Sequence, residues 1–350
     1  MINYIYPAVF SFFATIILLM FALKFFPKWK MMDRPENYDL KRAPIPYYGG
    51  LVIFAVVIIT LLIFVPIDAR LLGVLIGGAM IAGISFLDDL KNVNPFIRLS
   101  VQILAALTIV VSGIGIDSIT NPLGGVIELN QFAIEIPFGF TAIEFMIFAD
   151  IFTIIWIVMV VNTMNFLDGL NGLVSGVTFI AALTMFILSI GNHNLIDQST
   201  VATLAIVVAM TCLAFWFFDF YPAKILMGDT GTMFLGFLLA VMAIFSGGKI
   251  ATAFLVLGFP ILDAFWVIIR RILSKKSPMK GDLKHLHHRL LEVGLSDRKA
   301  LIIIYLLCAI FGLSAIFLGS TQKLFMIIAM GIFMFAIGSI VVYYSMKRSQ

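Results

Sequence analysis

Residues 71–89 read LLGVLIGGAMIAGISFLDD, an uncharged run from Leu71 to Leu87 closed by the paired acids Asp88 and Asp89. Such a run is long enough to cross a bilayer core of roughly 30 Å as a helix, and the acids stop it at an interface. Comparable runs recur at Ile2–Leu23, Tyr48–Val65, Leu99–Ile116, Phe145–Val161, Leu173–Ile190, Val201–Phe217, Gly231–Ser246, Ile250–Ile269, Ala300–Leu318 and Leu324–Tyr344, so the 350-residue chain is expected to have about 11 transmembrane helices. Composition agrees: 62% of residues are apolar and 12% charged, about half the charged share of a soluble domain. A water-soluble globule is excluded. The expected fold is an all-α integral membrane protein, with residues 1–350 forming a single polytopic domain. The first run is too long for a signal-peptide core and no small-residue cleavage pattern follows it, so it reads as a retained helix. Cys212 and Cys308 both lie inside apolar runs, where they serve as small hydrophobes.

Charge sets the expected topology. Of the 23 Lys and Arg, only Arg70, Lys249 and Lys323 fall on one side of an eleven-span arrangement. The positive-inside rule then puts the N-terminus outside and the C-terminus in the cytoplasm. The net charge of +4 is explained by Lys and Arg facing anionic lipid and calls for no nucleic acid. The long outer loop, Asp117 to Glu144, carries four acids and no Lys or Arg, and its alternation over 126–137 around Asn130 and Gln131 predicts a β-hairpin.

Nearly every unusual polar cluster lies on the cytoplasmic side, in loops 24–47, 88–98, 162–172, 218–231 and 270–299. The first ends in Lys41, Arg42 and the run Pro46, Tyr47, Tyr48, Gly49, Gly50. The second opens with Asp88 and Asp89. The third holds Asn162, Asn165, Asp168, Gly169, Asn171 and Gly172. The fourth carries Asp219, Pro222, Lys224, Gly228, Asp229 and Gly231, and the fifth His285, Leu286, His287, His288 and Arg289. Each has a plain alternative: acids ending a helix, a hydrated helix end, a turn, a solvated loop, lipid-facing charge. Five such clusters on one face of a membrane protein are costly unless they share a cavity. Carboxylates with Asn oxygens suit Mg²⁺, while Gly-rich helix starts with Lys, Arg and His suit phosphate. Together they describe a phosphoryl-transfer site. Zinc at His285, His287 and His288 fits less well, for want of a fourth ligand and the usual spacing.

In these motifs the chain resembles the polyprenyl-phosphate N-acetylhexosamine-1-phosphate transferases. The matching residues are P-x-x-G-G at Pro46–Gly50, the Asp88-Asp89 pair, N-x-x-N-x-x-D-G-x-N-G at Asn162–Gly172, PAKILMGDTGTMFLG at Pro222–Gly236, Asp263 before Arg270 and Arg271, and H-L-H-H-R at His285–Arg289. The H-x-H-H form is similar to the N-acetylglucosaminyl branch. The resemblance implies transfer of a sugar-1-phosphate from a UDP-N-acetylhexosamine, in the first instance UDP-GlcNAc, to undecaprenyl phosphate. UMP is released, and the lipid product initiates a cell-envelope glycan.

Several further expectations follow from the resemblance. Asn165 and Asp229 are the implied ligands of Mg²⁺, for which Mn²⁺ could substitute. Asp88, Asp89, Asp168, Asp229, His287 and His288 are the implied catalytic residues. Lys41, Arg42, Asn162, Asn171, Asp219, Lys224, His285 and Arg289 are the implied substrate contacts. The implied setting is a bacterial cytoplasmic membrane with the active site facing the cytoplasm; a homodimer is left open. Two departures stand out. Lys41 occupies a place where the branch usually has His. Asn171 and Asp219 stand where the family usually has Asp and Asn, at positions that contact the uracil ring. The rival reading is a transporter or flippase, to which the deep acid Asp150 would belong, although its acids should then gather at the bilayer midplane.

Overall fold

The computed structural model describes residues 2–38, 42–121, 125–138, 141–191, 198–245, 250–273, 275 and 285–348. Its helices are α1 (Ile2–Phe25), α2 (Gly49–Phe64), α3 (Ala69–Lys91), α4 (Pro95–Val111), α5 (Ile147–Phe166), α6 (Leu173–Gly191), α7 (Gln198–Asp219), α8 (Gly228–Phe245), α9 (Ile250–Val256), α10 (Gly258–Leu273), α11 (Leu286–Glu292), α12 (Asp297–Phe317) and α13 (Ser320–Arg348). Among the described residues eight helices are long and apolar enough to cross a membrane: α1, α3, α5, α6, α7, α8, α12 and α13. The expected all-α membrane fold is therefore found.

The eleven apolar runs do not translate one for one into long helices. The runs at Tyr48–Val65 and Leu99–Ile116 became the shorter apolar helices α2 and α4. The run Ile250–Ile269 is broken into α9 and α10, with Leu257 between them. Hydropathy registers the run and is blind to a turn inside it. The short helix α11, which carries the His run, is an addition.

The outer-loop β prediction needs a correction. Strands do form at β2 (Val126–Glu128) and β3 (Ala133–Phe138), and Asn130 and Gln131 form a turn. Yet β2 and β3 do not pair with each other. β2 pairs antiparallel with β1 (Ser118–Thr120), and β3 with β4 (Thr141–Met146), in the register Ala133↔Met146. Alternation marks which residues are strands; it does not choose their partners.

α8 is the hub, with Gly228 and every residue from Thr230 to Ile244 buried, packed against α2, α3, α5, α6 and α7. The close fit depends on a residue without a side chain: a Cβ at Gly50 would lie 2.2 Å from the Gly231 nitrogen. The same approach lets Gly49 and Gly50 donate their N–H groups to the Leu226 and Met227 carbonyls, both at 2.8 Å. α5 runs antiparallel to α8, since Trp156 Nε1 donates to the Ala240 carbonyl (3.1 Å) and Asn165 Nδ2 to Thr232 Oγ1 (3.3 Å). The start of α8 therefore meets the ends of α5 and α3 and the start of α4.

Candidate active site

α3 continues through both acids and stops at Asn92, which takes the left-handed conformation (φ 51°) with its N–H on the Asp88 carbonyl. Pro95, pre-set for a first helical position, then opens α4 behind the capping side chain of Asn94. This tight return brings Arg98, in the first turn of α4, back onto the end of α3.

Asp88 and Asp89 are neighbours with different surroundings. Asp89 Oδ1 accepts from the Tyr47 hydroxyl (3.0 Å) and the Asp229 N–H (2.9 Å). Its Oδ2 accepts from the Thr230 N–H (3.0 Å) and Oγ1 (2.6 Å). Two of the donors left over at the start of α8 are thus capped by an acid from another helix. At this turn a carboxylate of the chain takes the N–H groups that the sequence had suggested for phosphate. Burial, and after it the charge of Asp89, pushes the Tyr47 hydroxyl well above its usual value, so it stays protonated as a donor. Asp88 instead accepts the Val93 N–H (2.6 Å) and pairs with Arg98. Arg98 also reaches Asp229 Oδ2 at 3.4 Å, and its Nε is buried without a partner among the described residues.

Asp229 is partly open, its side chain 31% exposed, beside Asn165 at the end of α5. Asp168 follows in the turn after α5. Desolvation, then the charges of Asp219, Asp229 and Asp89, push its carboxyl well above the usual range, although the residue as a whole is exposed. Concentrated negative charge of this kind is relieved by a divalent cation. Among the described residues no three acidic, His or Cys side chains form a ready-made metal cage. The donor set nonetheless fits Mg²⁺, which takes one or two carboxylates and leaves its other positions to water and phosphate.

The remaining expected residues divide. Asn162 donates to Gln102 Oε1 and to the Val158 carbonyl, both at 2.7 Å. Asp219 is buried, its Oδ2 accepting from the Gly172 N–H (3.1 Å) and Ser175 Oγ (2.8 Å); Asn171 lies half-buried in the same turn. Arg42 pairs with Asp33 at 2.5 Å, and exposed Lys224 lies over the Phe218 ring. Lys41 lies outside the described residues.

The His run packs on the 162–172 turn. His285 lies 6.1 Å from the Phe166 ring and stacks at 5.6 Å on His287, which meets His288 at 4.2 Å. His287 is fully buried, its Nε2 only 1.9 Å from where a Gly169 Cβ would sit. That contact explains the Gly in Asp168-Gly169. Burial, then His288 and His285, pushes the His287 pKa down to about 2, so the ring is neutral. Arg289 is buried.

Sequence reasoning did not single out Arg98, Tyr47 or Gln102 as site residues. Arg98 stands alone after an Asn-Pro turn. Its signal is its place in the first turn of the helix that follows the acid pair.

A helical membrane bundle whose central helix starts inside a carboxylate cluster, beside a guanidinium and a histidine run, defines a membrane-embedded group-transfer scaffold. The chain belongs to glycosyl transferase family 4, whose sequence model matches residues 71–247. It is 31% identical to the probable undecaprenyl-phosphate N-acetylglucosaminyl 1-phosphate transferase of Bacillus subtilis over 87% of this chain and 82% of that one. Against the decaprenyl-phosphate N-acetylglucosaminephosphotransferase of Mycobacterium leprae the identity is 30%, over 78% and 73%. The undecaprenyl-phosphate alpha-N-acetylglucosaminyl 1-phosphate transferase of Thermotoga maritima is 28% identical over 92% and 91%. The resemblance read from the motifs is borne out.

Proposed function

We propose that this protein transfers N-acetylglucosamine-1-phosphate from UDP-GlcNAc to undecaprenyl phosphate at the cytoplasmic face of a bacterial membrane. The carrying observation is the convergence of Asp88, Asp168 and Asp229 with Arg98 at the start of α8. The named relatives supply the substrate class.

In this reading Asp229 and Asn165 hold Mg²⁺, which when bound neutralises the donor diphosphate. A lipid phosphate has its second pKa near ~6 and is largely dianionic at neutral pH, so it attacks the sugar-bearing phosphorus directly and needs no base. One P–O bond forms to the lipid phosphate oxygen, the bond to the bridging oxygen breaks, and UMP leaves with that electron pair. Asp88 holds Arg98, whose guanidinium, with its side chain 21% exposed, orients the acceptor phosphate. His285, His288 and Arg289 line the sugar and diphosphate. Asp89 contributes by fixing α8, and His287 by filling the space over Gly169. The transport reading loses its motive, because Asp150 Oδ2 accepts the Met146 N–H at 2.8 Å and so serves the start of its own helix.

The test is to incubate purified protein with Mg²⁺, undecaprenyl phosphate and a panel of UDP-sugars, measuring UMP and lipid product. UMP release with UDP-GlcNAc that requires the lipid is the expected result. No release with any UDP-sugar would end the reading. For the topology, single cysteines at Asn192 and Ser277 in a background lacking Cys212 and Cys308 should label from opposite sides of intact membranes.

A further inference from the structure

Asp263 on α10 has no role in the reaction as described, yet both of its oxygens are committed to the start of α11. Oδ2 lies 2.8 Å from His285 Nδ1, and Oδ1 accepts the Leu286 N–H at 2.8 Å. The pair is withdrawn from solvent, with side chains 4% and 7% exposed. An ionised carboxylate only accepts, so the hydrogen in the Nδ1 contact belongs to the imidazole; of the two neutral tautomers this one leaves the lone pair on Nε2. His285 Nε2 has no partner among the described residues, and the ring borders Phe166, in the run that carries Asn165 and Asp168. His287 offers no such handle, since both of its ring nitrogens are sealed from solvent.

We infer that Asp263 is a positioning residue that holds His285 in the Nδ1–H form, so that Nε2 accepts a hydrogen bond from a hydroxyl or the N-acetyl N–H of the donor sugar. The inference rests on the proposed function for the identity of that sugar. Asp263 also ties the broken-helix segment α10 to the His run. A site built to accept from a sugar N–H or O–H discriminates against donors lacking it, because the acceptor would otherwise be left unmatched.

The experiment uses the full chain. It has four histidines, so ¹⁵N-imidazole labelling gives a short set of signals, with that of His285 assigned by its loss in His285→Gln. In the wild type His285 should be protonated on Nδ1 and bare on Nε2. Asp263→Asn can turn its amide toward Nδ1 and should reverse the tautomer. The KM for UDP-GlcNAc should rise about tenfold while kcat stays within about threefold, the mark of lost binding rather than lost active protein. Asp263→Asn combined with His285→Gln should be no worse than His285→Gln alone.

A wild-type His285 protonated on Nε2, additive defects in the double variant, or a fall in kcat at constant KM would each overturn the inference. If Asp263→Asn fails to accumulate, the wild-type tautomer and the KM of His285→Gln decide it. A wild type that turns over no UDP-sugar would sink the proposed function instead, and the NMR signals would still decide the Asp263–His285 pairing.

Discussion

The helices α8 and α5 each carry an aspartate in the first turn, Asp229 and Asp150, and the antiparallel packing of these helices puts the two acids at opposite ends. Asp150 is the more buried of the pair, at 7% exposure. Its surroundings are local: the Met146 N–H of its own helix start is its bond, and Asp117 is its charged neighbour. Next to it, Thr153 receives the Ile116 N–H at 2.9 Å. At Asp229 four separate segments meet, bringing Asp88 and Asp89 from the end of α3, Arg98 from α4 and Asn165 from the end of α5. A buried acid is therefore weak evidence of chemistry. Convergence of charged groups from distant parts of the chain, more than local hydrogen bonding requires, is stronger evidence.

The largest expected effect tests that contrast directly. Phosphoryl transfer relies on positioning and on neutralising charge, so Asp229→Asn should lower kcat by about 10³-fold or more at saturating UDP-GlcNAc, with membrane abundance unchanged. Asp150→Asn still offers an oxygen to Met146 N–H and should keep kcat within about threefold. Equal losses at the two positions would break the comparison.

A sharper version sets Asp88 against Asp89. Asp88→Asn keeps one oxygen for either the Val93 N–H or Arg98. It should cost about 10²-fold in kcat and lower the melting temperature in detergent less than Asp89→Asn, since Asp88 takes two donors and Asp89 takes four. Asp89→Asn has one acceptor oxygen for donors that occupy two, leaving an amide facing either Tyr47 and Asp229 N–H or Thr230. At about 1 to 3 kcal/mol for each bond lost, the protein should melt measurably lower as well as turn over slowly. If Asp89→Asn melts like the wild type, the cap on α8 is not what Asp89 provides.

This distinction was not legible in the sequence, whereas much of the fold was. Apolar runs announce helices because composition alone decides burial in lipid, and the N-x-x-N-x-x-D spacing placed Asn165 and Asp168 together. The division of labour between Asp88 and Asp89 depends on which donors arrive from α8 and from Tyr47, forty or more positions away. The pairing of β1 with β2, the break at Leu257, the Asp88–Arg98 ion pair and the anchoring of His285 by Asp263 are tertiary facts of the same kind. Asp219 shows the reverse case. Its departure from the family pattern was visible, but its bonds to Gly172 and Ser175 were not.

Those bonds refine the next prediction. If this pair contacts the uracil ring as the resemblance implies, the ring N–H falls to Oδ1 of Asp219, because Oδ2 is occupied, and Asn171 would donate to a carbonyl. Asp219→Asn can keep its oxygen on Gly172 and Ser175 and present an amide instead. That mispairs one hydrogen bond and should lower kcat/KM by about 5- to 150-fold. Asn171→Asp should do the same, and the double exchange should recover much of the loss, with a coupling energy of about 1 kcal/mol or more. Additive defects would mean that the two residues do not share the base.

The smallest effect concerns stability. The Asp168 carboxyl is pushed up in the fold by desolvation and by Asp219, Asp229 and Asp89, so its ionised form is disfavoured in the native state relative to the unfolded one. For a raised carboxyl pKa the destabilisation is absent below the unfolded value near ~3.9 and complete above the folded value. Asp168→Asn removes it. In metal-free protein at pH 8 the variant should therefore melt above the wild type, with the gap closing as the pH falls toward about 4, even though its turnover is lost. The matching change at the other end of the bundle, Asp150→Asn, removes a charge with no such ring of acids around it and should raise the melting temperature less. A wild type that melts above Asp168→Asn at pH 8 without metal would show that the cluster at the start of α8 is compensated within the chain, and the electrostatic contrast between the two helix starts would fail.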